Sequence, residues 1–172
     1  MPISLPRPIR DAVIADLPAI VSIYNSTIAS REVPADTEPV TVDSRVAWFQ
    51  AHNPHHRPLW VWEDGNRIQG WLSFQSFYGR PAYGGTAELS LYIHPQDRRQ
   101  GLGRQLLHAA VFHAPDVGVD RLLGFIFGHN RPSLTLFAEA GFEPWARLPG
   151  VAVLDGIRRD LVIVGRCAGE GV

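Results

Sequence analysis

The sequence predicts a mixed α/β domain built on one sheet with helices on both faces, and three observations lead there. Short strand-like stretches come first and are joined by tight turns. Strand–helix–strand units follow, with apolar residues recurring at helical spacing between them. At 172 residues the chain is long enough for one substantial core and contains no repeat or linker that would divide it.

The elements follow in order. Ile9 to Ala12 reads as a short strand. Asp16 stands as an N-cap before Leu17, Ile20, Val21, Tyr24 and Ile28, whose spacing marks a helix. A loop rich in Pro, Glu and Thr leads to a second helix over Val42 to Gln50. Leu59 to Glu63 and Arg67 to Ser76 read as strands joined at Asp64-Gly65, a hairpin signal. Glu88 to Ile93 alternates as a fourth strand, and Leu106, Leu107, Ala110 and Val111 mark a third helix. Leu122 to Phe127 is apolar throughout, as a central strand would be. A last helix, capped by Asn130 or Ser133, ends at Gly141. Strands near Phe142 to Arg147 and Asp160 to Val164 complete a single domain over residues 1–172. Its core spans about 9–164, and residues 165–172 are expected to form a mobile tail.

Composition excludes several functions. Sixteen basic and seventeen acidic side chains leave almost no net charge, so no nucleic-acid surface is expected. Every basic residue is arginine, which removes Schiff-base chemistry on a lysine. A single cysteine, Cys167, allows no internal disulfide, and neither a signal peptide nor a membrane-spanning run is evident; a cytoplasmic protein is expected. His52, His55 and His56 flank Pro54, have no acidic partner at ligand spacing, and read as a solvated loop; no metal is implied.

Between the fourth strand and the third helix lies Arg98-Arg99-Gln100-Gly101-Leu102-Gly103-Arg104. Glycines allow a close approach of backbone to ligand, the first turn of a helix offers free N–H groups, and the arginines add positive charge. A pyrophosphate-bearing cofactor suits this place. The segment is no Walker A loop, since no Gly-Lys-Ser/Thr follows, and Leu106 replaces the third glycine of the dinucleotide fingerprint. An ordinary strand-to-helix turn with a solvated rim is the competing account of the motif alone.

With its neighbours, the motif resembles the acyl-CoA loop of the GNAT-superfamily N-acetyltransferases, Gln/Arg-x-x-Gly-x-Gly/Ala, matched by Arg98, Gly101 and Gly103. Asn130-Arg131-Pro132-Ser133, Leu136-Phe137 and Ala140-Gly141-Phe142 resemble the helix that flanks the pantetheine arm. Within the superfamily the chain looks most similar to the phosphinothricin and methionine sulfoximine acetyltransferases. That match rests on Ile23-Tyr24-Asn25, on Arg80-Pro-Ala-Tyr83-Gly-Gly-Thr86-Ala87-Glu88 and on Leu91-Tyr92-Ile93-His94-Pro95. The resemblance implies a GNAT fold, a mostly antiparallel twisted sheet splayed between strands 4 and 5. It implies acetyl-CoA as cosubstrate, a small amine such as phosphinothricin, methionine sulfoximine or methionine sulfone as acceptor, and a homodimer.

It also implies roles. Arg98, Arg99, Gln100, Gly101, Leu102, Gly103 and Arg104 would hold the pyrophosphate. Leu91, Tyr92 and Ile93 would hold the pantetheine, with Asn130 and Ser133 on its far side. Glu88 would be the base. Alternation puts it with Ser90 and Tyr92 on the face opposite Ala87, Leu89, Leu91 and Ile93. An ordinary glutamate has a pKa of about 4.3, so the role needs burial; the competing account is a Glu88 paired with an arginine. The oxyanion would meet a backbone N–H near Tyr92. Arg80 could hold an acceptor carboxylate or phosphinate, with Tyr83 and Tyr24 beside it, or Arg80 and Tyr83 could be surface-loop residues. One departure stands out. Phe137 occupies the position where relatives carry Tyr or His to protonate the leaving thiolate, which leaves Tyr24, Tyr92, His129 or no group at all for that step. Direct transfer in a ternary complex is expected, since no acyl-enzyme nucleophile is evident. Transfer to a polyamine or protein N-terminus, or acyl-CoA binding without catalysis, are the alternatives.

Overall fold

The computed structural model describes residues 3–169. Its elements are β1 (Ile9–Asp11), α1 (Leu17–Ile28), α2 (Val46–Gln50), β2 (Leu59–Asp64), β3 (Arg67–Ser76), β4 (Thr86–Ile93), α3 (Leu102–His113), β5 (Arg121–Phe127), α4 (Arg131–Glu139), β6 (Glu143–Leu154) and β7 (Ile157–Cys167). The strands form one sheet in the order β1-β2-β3-β4-β5-β7-β6. All neighbours are antiparallel except β4 and β5, which α3 connects as a parallel pair.

The helices cover both faces. Ile20 and Ile23 of α1, with Trp48 and Phe49 of α2, pack on Leu59, Val61 and Trp71. On the other side Leu106, Leu107 and Ala110 of α3 and Phe137 of α4 close a larger core over Trp60, Leu72, Phe74, Leu89 and Ile126. Their i, i+3, i+4 spacing is what turns one stripe of α3 inward.

Four expectations are corrected. Asp16 does not cap α1 with its side chain; it ends a 3-10 turn, and its carboxylate accepts the Val13 N–H at 2.8 Å and the Arg10 guanidinium at 2.7 and 3.0 Å. The second helix is shorter than predicted, because Asp43–Arg45 forms a 3-10 turn before α2. His52 is partly enclosed rather than solvated, with Nδ1 at 2.9 Å from the Trp48 carbonyl. The last two strands are longer than predicted, since Asp155 and Gly156, at φ 50° and 77°, make a tight turn between them. β7 therefore runs past Val164, and Gly165, Arg166 and Cys167 pair with Leu123, Leu122 and Arg121. Of the expected tail, residues 170–172 lie outside the described residues.

Pairing between β4 and β5 runs from Thr86↔Arg121 to Leu89↔Gly124 and stops. From Ser90 to Ile93 the β4 edge that faces β5 has no strand partner among the described residues. That gap, and the α1/α2 face of β3 and β4, define the site.

Candidate active site

On the α1/α2 face, Gln75, Ser73 and Trp71 stand directly opposite Glu88, Ser90 and Tyr92. Side chains paired this way share a face. A pocket of about 180 Å³ lies over these residues except Glu88, which does not line it; its walls are Ile20, Val21 and Tyr24 of α1, Arg45 just before α2, Trp48 of α2, and Asp36 and Val40 of the intervening loop. The loop is tied down at several points. The Asn25 side chain bonds both the N–H and the carbonyl of Val40 at 2.9 Å, and Arg45 reaches Asp36 at 2.9 Å. The Tyr24 hydroxyl donates to Asp36, and its ring lies 5.1 Å from the Arg45 guanidinium and 5.1 Å from the Tyr92 ring. Burial, with Asp36 beside it, pushes the Tyr24 hydroxyl well above the ordinary tyrosine range. It stays protonated at any physiological pH.

Where β4 parts from β5 there is a second, narrower pocket of about 50 Å³, lined by Leu89, Leu91, Phe125, Ile126, Asn130, Ser133 and Phe137. Ser90 and Tyr92 line both pockets. Asn130 is only 4 % exposed, and its amide is already used: its oxygen accepts the Ser133 N–H at 3.2 Å and its nitrogen donates to the Glu32 carbonyl at 3.1 Å. It caps α4 and holds the early loop, so it shapes this pocket more than it offers a free donor.

At the mouth of the gap, Gly101 sits at φ +85° with open space where a side chain would be, and the first turn of α3 has no side-chain cap. Its N–H groups are left for a ligand. Gly103 lies close to Leu136, Leu91 and Ile93, which brings the start of α3 against β4. The expected loop needs refinement here. Leu102 is buried in the core, so only its backbone faces the loop. Arg104 pairs with Glu139 at 2.7 Å, while Arg98, Arg99 and Gln100 stay exposed. Behind the loop, Asp97 is buried and accepts Arg67 at 2.6 and 2.8 Å and Gln69 at 3.1 Å.

Glu88 pairs with no arginine among the described residues; burial alone pushes its carboxyl above the usual carboxylate range. Neither Arg80 nor Tyr83 lines either pocket. Both lie on the exposed turn between β3 and β4, where Tyr83, 42 % exposed, packs on Phe77 and Tyr78. Within one chain the turn does not bring them to either pocket. Phe137 is 5 % exposed and packs on Phe142, with no polar atom to offer the gap. His129 donates from Nε2 to the Arg31 carbonyl at 2.8 Å, as that acceptor requires, and lines neither pocket. Tyr92, stacked on Trp71 at 4.6 Å and lining both pockets, is the better-placed hydroxyl.

Sequence reasoning missed Asp36, Arg45, Ser73 and Gln75. Ser90 was legible from its alternation with Glu88. Ser73 and Gln75 follow from the same rule once the β3–β4 register is known.

Comparison with known proteins gives one family. Residues 20–142 match the model of the acetyltransferase (GNAT) family. The chain is 55% identical over 152 residues, 88% of its own length and 93% of the relative's, to the Bacillus subtilis protein named "Putative phosphinothricin acetyltransferase YwnH". It is 32% identical, over 91% of each chain, to the L-methionine sulfoximine/L-methionine sulfone acetyltransferase of Pseudomonas paraeruginosa. It superposes with a TM-score of 0.88 and 27% identity on a GNAT-superfamily phosphinothricin acetyltransferase from Sinorhizobium meliloti, crystallised with acetyl-CoA, covering 95% of this chain and 89% of that one.

Proposed function

The chain belongs to the acetyltransferase (GNAT) family, and from that premise we propose that it moves the acetyl group of acetyl-CoA to the α-amine of a small amino-acid-like acceptor. Phosphinothricin, methionine sulfoximine and methionine sulfone, the compounds named for its relatives, define that acceptor class. One observation carries the reading: two pockets meet at Ser90 and Tyr92, one on the Glu88 face of β4 and one in the β4/β5 gap. Two substrates bound side by side need such an arrangement for direct transfer.

The residues fit acetyl-CoA. The uncapped start of α3 with Gly101, Gly103, Arg98, Arg99 and Gln100 would hold the pyrophosphate, and the unpaired β4 edge at Leu91 to Ile93 the pantetheine amides. Bound there, acetyl-CoA supplies an acetyl group already activated as a thioester. Glu88 takes the proton from the acceptor ammonium, directly or through water. Tyr92 offers its hydroxyl to the departing sulfur in place of the donor that Phe137 lacks. Tyr92→Phe should lower kcat about tenfold or more with the KM for acetyl-CoA unchanged; equal kcat would mean that the thiolate leaves unaided.

Asp97 acts behind the cofactor loop. Asp97→Asn frees Arg67 and loosens the turn before Arg98, so acetyl-CoA affinity should fall about tenfold by calorimetry while kcat at saturation stays within about twofold. An unchanged affinity would remove this bracket from the binding machinery.

A homodimer is the expected assembly, and the β6–β7 ribbon offers exposed apolar residues to it on both faces, Val151 and Val153 on one and Trp145 and Ile157 on the other. Arg80 and Tyr83 would then act on the acceptor only from a partner's side.

The test is thiol release from acetyl-CoA by the purified protein against free amino acids, phosphinothricin, methionine sulfoximine, methionine sulfone and polyamines. Saturable release with an α-amino acid analogue supports the proposal. Release with polyamines alone keeps the family and overturns the acceptor class. Acetyl-CoA binding without any release would favour a binding module, for which Phe137 is the specific motive.

A further inference from the structure

The floor of the acceptor pocket carries a buried polar group with nothing to bond among the described residues. Ser73 is 0 % exposed, lines the pocket, and its hydroxyl has no hydrogen-bond partner among the described residues. Gln75 and Ser90, beside and opposite it, also line the pocket. A buried hydroxyl without a partner is costly, so the floor is built to be completed by something that enters.

The charged groups of the same pocket are already paired with each other. Asp36 holds Arg45 at 2.9 Å and accepts the Tyr24 hydroxyl. The pair cancels its own charge, and no second cation lines the pocket among the described residues. An anionic group entering here would have to share the Arg45 guanidinium with Asp36, beside a negative charge already in place, a repulsion that a neutral polar group avoids. The side walls, Ile20, Val21, Trp48 and Trp71, are apolar. A volume of about 180 Å³ suits one amino-acid side chain and not a peptide.

We infer that this pocket is the subsite for the acceptor's side chain, and that it selects a short apolar stem ending in a neutral, hydrogen-bond-accepting head group held by the Ser73 hydroxyl. The inference rests on the proposed transfer to an amino acid and adds which one. A sulfone or sulfoximine head satisfies Ser73, whereas an aliphatic tail leaves it unpaired and a phosphinate brings a charge.

The experiment compares kcat/KM for L-methionine sulfone, L-norleucine and L-phosphinothricin, with acetyl-CoA saturating, in the wild-type chain and in Ser73→Ala. Wild type should prefer the sulfone to both others by about tenfold. Ser73→Ala should lose about five- to tenfold on the sulfone and less than about twofold on norleucine. Because the hydroxyl has no partner in the free protein, Ser73→Ala should unfold at the same temperature as wild type or higher, which separates a binding loss from a folding loss. Equal effects on sulfone and norleucine, or none, would overturn the subsite while leaving the transfer reaction standing. Preference for phosphinothricin would overturn its selection of neutral groups. No turnover of any amino acid by wild type would overturn the proposed reaction, and this inference with it.

Discussion

Glu88→Gln should lower kcat by about 10²- to 10³-fold at neutral pH and leave the dissociation constant for acetyl-CoA within about twofold of wild type. The amide keeps the shape of the side chain and loses the ability to take a proton. Glu88 stands on the α1/α2 face opposite Gln75, whereas the cofactor loop and the β4 edge lie beyond Ser90. Steady-state kinetics and calorimetry on the same preparation decide it. A fall in affinity equal to the fall in rate would make Glu88 a structural residue.

The same substitution makes a second, opposite prediction. Burial raises the Glu88 carboxyl above its ordinary range, so the folded chain holds that proton more tightly than the unfolded chain. Stability tied to this group is therefore present at low pH and lost as pH rises from the ordinary carboxylate range through the raised value. Glu88→Gln escapes that loss. It should melt above wild type at pH 8, and the gap should close on acidification. Activity has the reverse slope, since the base works only when deprotonated: wild-type kcat/KM rises with pH through the raised value, and the variant lacks that limb. A more stable, inactive variant separates a base strained by burial from a glutamate that serves the fold.

What the sequence revealed follows the range of the forces involved. Period-two alternation gave the Glu88, Ser90 and Tyr92 face, and the apolar stripe gave α3, because both are set within a few residues. The glycine loop was legible because its backbone geometry demands particular residues. Gly101, at φ +85°, is one of them. Pairing across the chain was not legible. Arg45 reaching Asp36, Asn25 clasping Val40 and Ser73 facing Ser90 depend on a register and a loop path that no local pattern encodes. Arg80 shows the converse: motif spacing drew attention to it, and the fold sets it on an exposed turn outside both pockets. The Asp155-Gly156 turn carries the same signal as the first hairpin and marks where β6 ends and β7 begins.

Gly103→Val should raise the dissociation constant for acetyl-CoA by about 100-fold or more and cost about 1–3 kcal/mol of stability. A Cβ at Gly103 would lie 3.3 Å from Leu136 Cδ2, 3.5 Å from Leu91 Cδ2 and 3.8 Å from Ile93 Cγ1. One methyl group therefore fits with a shift of a few tenths of an ångström in a flexible leucine. The two γ-methyls of valine do not. They force α3 away from β4 or push Leu136, and α4 with it, aside, and the first movement displaces the first-turn N–H groups from the β4 edge with which they share the proposed cofactor site. Gly103→Ala is the graded control: its affinity should fall by less than about tenfold and its stability change little, since alanine also favours the helix by about 1 kcal/mol over glycine. Urea denaturation and calorimetry on both variants check the pair. A valine variant that binds acetyl-CoA normally would show that the close approach of α3 to β4 serves packing alone, and the pyrophosphate would have to be held elsewhere.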